Sequence, residues 1–355
     1  PEGYVINYPS TTFDSISLAQ LAEVSPAIEP HCRDVLLACK RCAQALGHVD
    51  YAVPKLAYEG LTVEELYATF RAWRDQHMPA WQRTWHTVVA THGTDLRADI
   101  VPRVLPLFQP ELRAVFDQNA LLAFLARLLA RLGGDLTALP ITVENRPMPY
   151  SGAVYRLEGG SDIRVVVNAN LQGYYRYFFL LHEFGHAIYY CHCPRSELLL
   201  DSHLSREIMA DLWTQFLGSE PVLRELLGVP EATARSVVAA YLEYQSARLL
   251  LYMRDSMFML ELIRDPSASF AAVWRHVTRE WLGVEDEHGA FETFDFLHPL
   301  DMKSYVIAQS LSRRTFQRWH ERLSDPAGVG TIMPEMIAQL YRPGSSVDWK
   351  DKFNF

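Results

Sequence analysis

Two histidines and a glutamate within five consecutive residues form the most reactive pattern in this sequence. His182, Glu183 and His186 lie in the segment HEFGH, with apolar and aromatic residues on both sides. Histidines four residues apart lie one above the other on one face of a helix, so both imidazoles can bind a single Zn²⁺ ion. Glu183 lies beside the first histidine, where a carboxylate can accept a proton from a metal-activated water. The pattern predicts a zinc-dependent hydrolase, and the alternative is a pair of hydrogen-bonded core histidines.

A catalytic zinc ion needs a third protein ligand and an open fourth position. We predict that Glu207 is this ligand, on a new helix 21 residues beyond His186. Asp211 follows one turn later and can accept the free ring N–H of a ligating histidine, which fixes the orientation of the ring. The alternative for Glu207 is an acidic residue that favours the start of its helix. His203 and Glu197 are the alternative third ligands.

The cysteines are interpreted as incidental thiols without a role in metal binding or redox chemistry. Cys191, His192 and Cys193 are adjacent in sequence, so their side chains cannot easily face one ion together. Cys39 and Cys42 form a CxxC pattern without a second pair at the spacing of a zinc ribbon. We therefore predict no structural zinc site and no redox role for these residues.

The elements that must position the histidines are predicted to be mainly α-helical, with one small β-sheet beside the HExxH helix. Gly185 costs about 1 kcal/mol inside a helix, which favours a close approach of another backbone at this position. The residue pattern over 138–170 predicts short strands, the clearest of them over 163–167, and 158–162 is a candidate hairpin turn before it. One predicted helix begins at a capping box over 62–65. The other principal helices are predicted over 110–132, 171–190, 204–217 and 231–263.

The expected organisation is a helical lobe over 1–137 and a catalytic part over 138–355. The catalytic part would hold the small sheet, the zinc-binding helices and the C-terminal helices. A substrate cleft is expected between the two lobes.

Composition narrows the classes of partner. The chain has 355 residues, of which 49% are hydrophobic, and 33 basic against 42 acidic residues give a formal net charge of -9. This balance argues against a nucleic-acid or anionic-membrane partner, because both select for clusters of lysine and arginine. The odd count of five cysteines favours a reduced compartment, so we expect a cytoplasmic protein. The first thirty residues lack a basic-then-apolar pattern. A processed secretion signal before Pro1 stays open, and so does the oligomeric state.

On these residues the sequence resembles the gluzincin zinc metallopeptidases. The segment IRVVVNANLQGYYRYFFLLHEFGHAIYY is most similar to the oligoendopeptidase F and thimet oligopeptidase family. The later segment HPLDMKSYVIAQSL looks like the His-then-Tyr segment of that family. The resemblance implies a helical metallopeptidase in which His298 and Tyr305 lie near the scissile carbonyl and donate hydrogen bonds to the oxyanion.

The resemblance also implies a substrate and a way of binding it. Peptides would be hydrolysed by a metal-activated water, with Glu183 as general base. The strand over 163–168 would bind the substrate main chain as an added strand, through Val165, Val167 and Asn168. Two alternatives remain open: a catalytically silent helical peptide-binding protein, and a zinc hydrolase that acts on a non-peptide amide or ester.

Overall fold

The computed structural model describes residues 18–92, 105–148, 150–157, 161–194, 196, 202–286 and 298–353. Within them the protein is mainly helical, with one three-stranded sheet. The strands are β1 (Ile141–Arg146), β2 (Gly152–Leu157) and β3 (Asp162–Asn168). The helices are α1 (Leu18–Ala45), α2 (Ala52–Tyr58), α3 (Val63–His92), α4 (Pro110–Arg113), α5 (Leu121–Arg131), α6 (Tyr174–His192), α7 (His203–Thr214), α8 (Glu220–Leu227), α9 (Glu231–Arg264), α10 (Phe270–Leu282), α11 (Met302–His320), α12 (Ile332–Met336) and α13 (Trp349–Phe353).

Both parts of the predicted fold class that concern secondary structure are confirmed: a mainly α chain, and a small sheet beside the helix that carries HEFGH. Short 3-10 turns join several helices, for example Gln118–Ala120 before α5 and Gln215–Gly218 after α7. None of the described helices combines the length and the apolar character that a membrane crossing requires.

The described chain divides into two compact units that interleave along the sequence. The first comprises 106–242 and 307–353, and the second comprises the described parts of 13–105 and 243–306. The predicted boundary at 137/138 lies inside the first unit, between α5 and β1. The first unit contains the sheet and the HEFGH helix, so it holds the candidate chemistry.

The sheet has the strand order β1-β3-β2, with β3 in the centre. β1 runs parallel to β3, and β2 runs antiparallel to it. Ile163, Val165, Val166 and Val167 of β3 are fully or almost fully buried. A nearly continuous apolar run is what a strand covered on both faces requires. The turn predicted over 158–162 lies mostly outside the described residues.

Local sequence signals set several helix boundaries. The predicted capping box opens α3: Thr62 N–H donates to Glu65 Oε2 over 2.9 Å, and Glu65 N–H donates to Thr62 Oγ1 over 3.1 Å. The single helix predicted over 110–132 is wrong, because the chain leaves the helix after Arg113 and starts again at Leu121. Asp117 explains the restart, since its side chain accepts the Asn119 N–H and caps a new turn.

The second unit has its own buried core and polar contacts. Trp81 of α3 is fully buried and donates its indole N–H to the carbonyl of Leu282, the last residue of α10, over 2.9 Å. The ammonium of Lys303 lies 2.7 Å from the carboxylate of Glu59, and both side chains are fully buried. Burial lowers the pKa of Lys303, and the neighbouring Glu59 opposes that change. An independent core in each unit is what a chain of this length is expected to form.

Candidate active site

The helix α6 brings the two histidines together. It begins after Gly173, whose φ of 56° lies in the region that favours glycine. His182 and His186 follow one turn apart, with ring centroids 4.9 Å from each other and ring planes at 87°. Both residues are about 8% exposed. The predicted shared helical face is therefore present, and it lies at an almost buried position.

Gly185 allows a second helix to approach this face. A Cβ atom at Gly185 would lie 2.6 Å from the Cα of Ala210 and 2.9 Å from Cδ1 of Trp213, both on α7. The backbones of α6 and α7 thus touch at the one position in HEFGH that has no side chain. This is the close backbone approach that the sequence predicts for Gly185. It explains how Glu207, one turn before the contact, reaches the histidines.

Replacing Gly185 by alanine is expected to lower the free energy of unfolding by about 1–3 kcal/mol, since the added methyl group overlaps the backbone of α7. This loss would exceed the gain of about 1 kcal/mol that alanine brings to a helix interior. Urea denaturation of Gly185→Ala beside Gly330→Ala tests the contact, because a Cβ at Gly330 meets nothing within 4 Å. Equal stability of the two variants would contradict a tight α6–α7 contact.

Three donor atoms converge between α6 and α7. Nε2 of His182 lies 3.3 Å from Oε2 of Glu207, and Nε2 of His186 lies 3.5 Å from Oε1 of Glu207. One ligand atom from each of these residues lies within 4.8 Å of the others. Two imidazoles and one carboxylate are the donor set of catalytic zinc sites, with a position left for substrate or water. The residues therefore fit a zinc ion, and this is the one such group of three found among the described residues.

Asp211 occupies the outer position that the sequence predicts for it. Its Oδ1 lies 3.3 Å from Nδ1 of His182, and the residue is 1% exposed. A carboxylate at this nitrogen holds the proton on Nδ1 and leaves Nε2 of His182 with a lone pair that a metal ion could use. His203 lies at the start of α7, with Nδ1 3.6 Å from Oε1 of Glu207. Glu197, the other alternative ligand, lies outside the described residues.

The electrostatics of the donor group keep the Glu207 carboxylate ionised and shift the pKa values of the two histidines in opposite directions. Burial raises the pKa of Glu207, but the two histidines outweigh it and bring the pKa down to about 2. Burial lowers the pKa of His186 to about 4. Burial also lowers the pKa of His182, but hydrogen bonds to Asp211 and Glu207 raise it to about 10. The carboxylates of Asp211 and Glu207 thus favour a positive charge at His182. A divalent cation bound there would balance the same negative charges.

Glu183 lies beside the donor group without joining it. Burial raises the pKa of Glu183 to about 7, with Glu207 adding to the shift and His182 opposing it. A carboxyl group whose pKa lies near neutral pH can both accept and return a proton during a reaction. The residue is 9% exposed.

Gly152 of β2 is the residue that the sequence analysis missed. A Cβ atom there would lie 2.8 Å from Cγ and 3.1 Å from Oε1 of Glu183. The absent side chain therefore makes the space that the Glu183 carboxyl group occupies. A glycine inside a strand pattern often marks a close approach of this kind, and that signal was present in the segment SGAVYRL.

The prediction that substrate joins the sheet along β3 is wrong. Val165 pairs with Val143 of β1 on one side and with Val154 of β2 on the other. Val165 and Val167 are fully buried, and the Asn168 amide donates to the carbonyl of Met148 over 2.9 Å. A strand that is hydrogen-bonded on both sides has no edge to offer a peptide. Within the described part of the chain, the sheet edges are β1 and β2.

The two residues predicted to contact the oxyanion lie in the second unit. His298 is exposed, and Tyr305 is half-buried near the start of α11. The Tyr305 ring packs edge-on against Tyr252, with centroids 6.3 Å apart. Their predicted role stays a prediction. All five cysteines are free thiols, and the interpretation of Cys39, Cys42, Cys191 and Cys193 as incidental stays a prediction.

No protein-family profile matches the sequence, and a search of curated proteins finds no match either. Solved structures do match. An M32 carboxypeptidase from Deinococcus radiodurans R1 superposes with a TM-score of 0.65 at 16% identity, covering 95% of this chain and 73% of that one. PZ peptidase A, solved with an inhibitor, gives 0.68 at 17% identity, covering 95% and 66%. A protein assigned as an oligoendopeptidase F from Bacillus anthracis strain Ames gives 0.65 at 15% identity, covering 95% and 63%.

These similarities show that the chain shares the fold of helical metallopeptidases, and the predicted resemblance to oligoendopeptidase F is confirmed at the level of fold. M32 carboxypeptidases are a second group with this fold, which the sequence analysis did not name. The chain spans about two thirds to three quarters of the length of these structures.

Proposed function

We propose that this chain is a metal-dependent peptidase, with zinc as the metal, held by His182, His186 and Glu207. The observation that carries the proposal is the convergence of three buried donor atoms within 4.8 Å beside a glutamate that is not a ligand. The fold shared with carboxypeptidases and oligopeptidases supports peptides as the substrate class. Both endopeptidases and carboxypeptidases are among the similar structures, so the fold is compatible with either mode of cleavage.

The chemistry divides between the metal and the chain's own side chains. When bound, a zinc ion supplies a Lewis acid for the peptide carbonyl and lowers the pKa of water. Glu183 accepts the proton of the attacking water and returns it to the leaving amine, which its pKa of about 7 allows. Asp211 holds the ring of His182, and the α6–α7 contact at Gly185 keeps Glu207 opposite both histidines.

The sheet edge that takes the substrate would be β2 instead of β3. Among the described strands, β2 pairs along one side only, with β3, and its Gly152 lies directly against Glu183. A peptide that extends along β2 would form main-chain hydrogen bonds and pass close to the general base. Selectivity would then come from the pockets that receive alternate side chains.

Replacing Tyr305 by phenylalanine tests the oxyanion role that the resemblance implies. Loss of one such donor in other hydrolases lowers kcat by about 10² to 10³ while substrate binding changes little. We expect a loss of this size in kcat for Tyr305→Phe, with KM kept within a few fold. Tyr252→Phe, which alters the ring partner of Tyr305, is the matched control. Equal kcat for both variants and the unaltered protein would remove Tyr305 from the mechanism.

Metal analysis combined with cleavage of a mixed peptide library separates the candidate functions. A peptidase loses cleavage when a chelator removes the metal and regains it when Zn²⁺ is returned. One bound metal equivalent without turnover of any peptide would instead favour the silent peptide-binding protein. Turnover of small esters or non-peptide amides alone would favour the third candidate.

A further inference from the structure

A buried arginine lies at the start of the HEFGH helix in the first unit, and none of the described residues is its anionic partner. Arg176, on the first turn of α6, is 4% exposed. Among the described residues, no carboxylate lies within ion-pair distance of it, and its Nε N–H has no hydrogen-bond partner. Burial lowers the pKa of Arg176. A buried charge without a counter-ion is costly, and the cost falls when an anion binds beside it.

A cavity of about 390 Å³ lies next to this arginine. Its wall is formed by Pro110, Arg113, Ala114, Phe116, Asp117, Gln118 and Gly173. Arg176 does not line the cavity itself, but its Nη1 donates to Oε1 of the wall residue Gln118 over 2.9 Å. This bond orients the Gln118 carboxamide with its oxygen toward Arg176, which leaves the NH₂ group as a donor on the other side.

Arg113 adds a second cation to the same wall. Among the described residues it forms no ion pair, and its side chain runs along Gly173: a Cβ there would lie 2.7 Å from Cγ of Arg113. The acidic residue of the wall, Asp117, is engaged as a cap, because its Oδ1 accepts the Asn119 N–H over 3.0 Å. The start of α6 contributes the positive end of a 19-residue helix.

We propose that this cavity is a binding site for a small oxyanion, a phosphate or carboxylate group, held by Arg113, Gln118 and the charge of Arg176. The site is separate from the donor group of His182, His186 and Glu207, and it does not depend on the proposed peptidase activity. A bound anion would tie the segment 113–118 to the first turn of α6. Since His182 follows Arg176 by less than two turns, the anion would stabilise the helix that carries the metal ligands.

Calorimetric titration of the purified chain with inorganic phosphate tests the site, at constant ionic strength set by sodium chloride. We expect about one bound phosphate, and a dissociation constant at least about tenfold higher in both Arg176→Gln and Arg113→Gln, since a hydrogen bond to a charged group contributes on the order of that factor. Arg235→Gln removes an exposed arginine of α9 that is paired with Glu231, so it should bind phosphate like the unaltered protein. A parallel titration with acetate tells whether the site accepts carboxylates as well as phosphates.

Arg176 is buried, and its variant could fail to fold. Arg113 and Gln118 are exposed, so Arg113→Gln and Gln118→Ala carry the test in that case. The proposal is overturned if phosphate gives no binding heat with the unaltered chain. It is also overturned if phosphate binds the unaltered chain, Arg113→Gln and Gln118→Ala with one affinity, which would place the anion elsewhere, for example at the metal.

Discussion

Replacing Glu183 by glutamine is expected to lower kcat for peptide hydrolysis by about 10² to 10⁴, the range attributed to a positioned general base. Glutamine keeps the shape of the side chain, so it fits under Gly152 of β2, where a Cβ would already lie 2.8 Å from Cγ of the residue. It cannot accept the proton of the attacking water. Burial of the neutral amide also avoids the desolvation that raises the pKa of Glu183 to about 7. The fold and the metal site are therefore expected to persist.

Three measurements on Glu183→Gln separate loss of the base from loss of the site: kcat for a cleaved peptide, bound zinc per chain, and the urea midpoint. We expect about one zinc equivalent and an unchanged or slightly higher midpoint beside the large fall in kcat. Glu231→Gln, at an exposed ion pair, should leave all three unchanged. Full peptidase activity in Glu183→Gln with zinc bound would show that Glu183 is not the general base.

The local part of the site was predictable because helix geometry alone determines it. Residues four apart in a helix share a face, so the relation between His182 and His186 follows from their spacing. The position of Glu207 was predicted from a chemical requirement, since a catalytic metal needs a third ligand. Glu207 reaches the histidines because α6 and α7 pack closely at Gly185. A Cβ atom at that position would overlap Ala210 of α7.

The strand assignments show where the sequence is ambiguous. The run Ile163–Val167 predicts a buried strand, but it does not say which strands lie beside it. Pairing on both sides places β3 in the centre and leaves β2 at the edge beside Glu183. The near-continuous apolar character of β3 favours the central position, and Gly152 marks the strand with the close approach. Neither feature specifies which strands pair, because pairing depends on contacts between distant segments.

The second large effect is expected at the proposed metal ligands. Replacing Glu207 by alanine removes the negative charge and one of three donors, so zinc affinity should fall by much more than about 100-fold, since loss of an outer-shell partner alone costs 10–100-fold. Asp211→Asn is the graded comparison, because it keeps all three ligands and alters only the hydrogen bond to Nδ1 of His182. Competition with a chelating dye measures both affinities, and peptidase activity should follow the zinc content. Zinc affinity of Glu207→Ala equal to that of the unaltered protein would contradict the assignment.

His203 makes this prediction sharper, because it is the alternative third ligand that the structure describes. Its Nδ1 lies 3.6 Å from Oε1 of Glu207, and its side chain is 27% exposed, so it could turn toward the histidine pair once the carboxylate is gone. His203→Ala alone should leave zinc affinity within a few fold if Glu207 is the ligand. A large loss in His203→Ala, with affinity retained in Glu207→Ala, would exchange the two residues and make the site a three-histidine centre. That outcome would preserve the α6–α7 geometry but remove the carboxylate ligand, and with it the similarity to gluzincins on which the proposed mechanism depends.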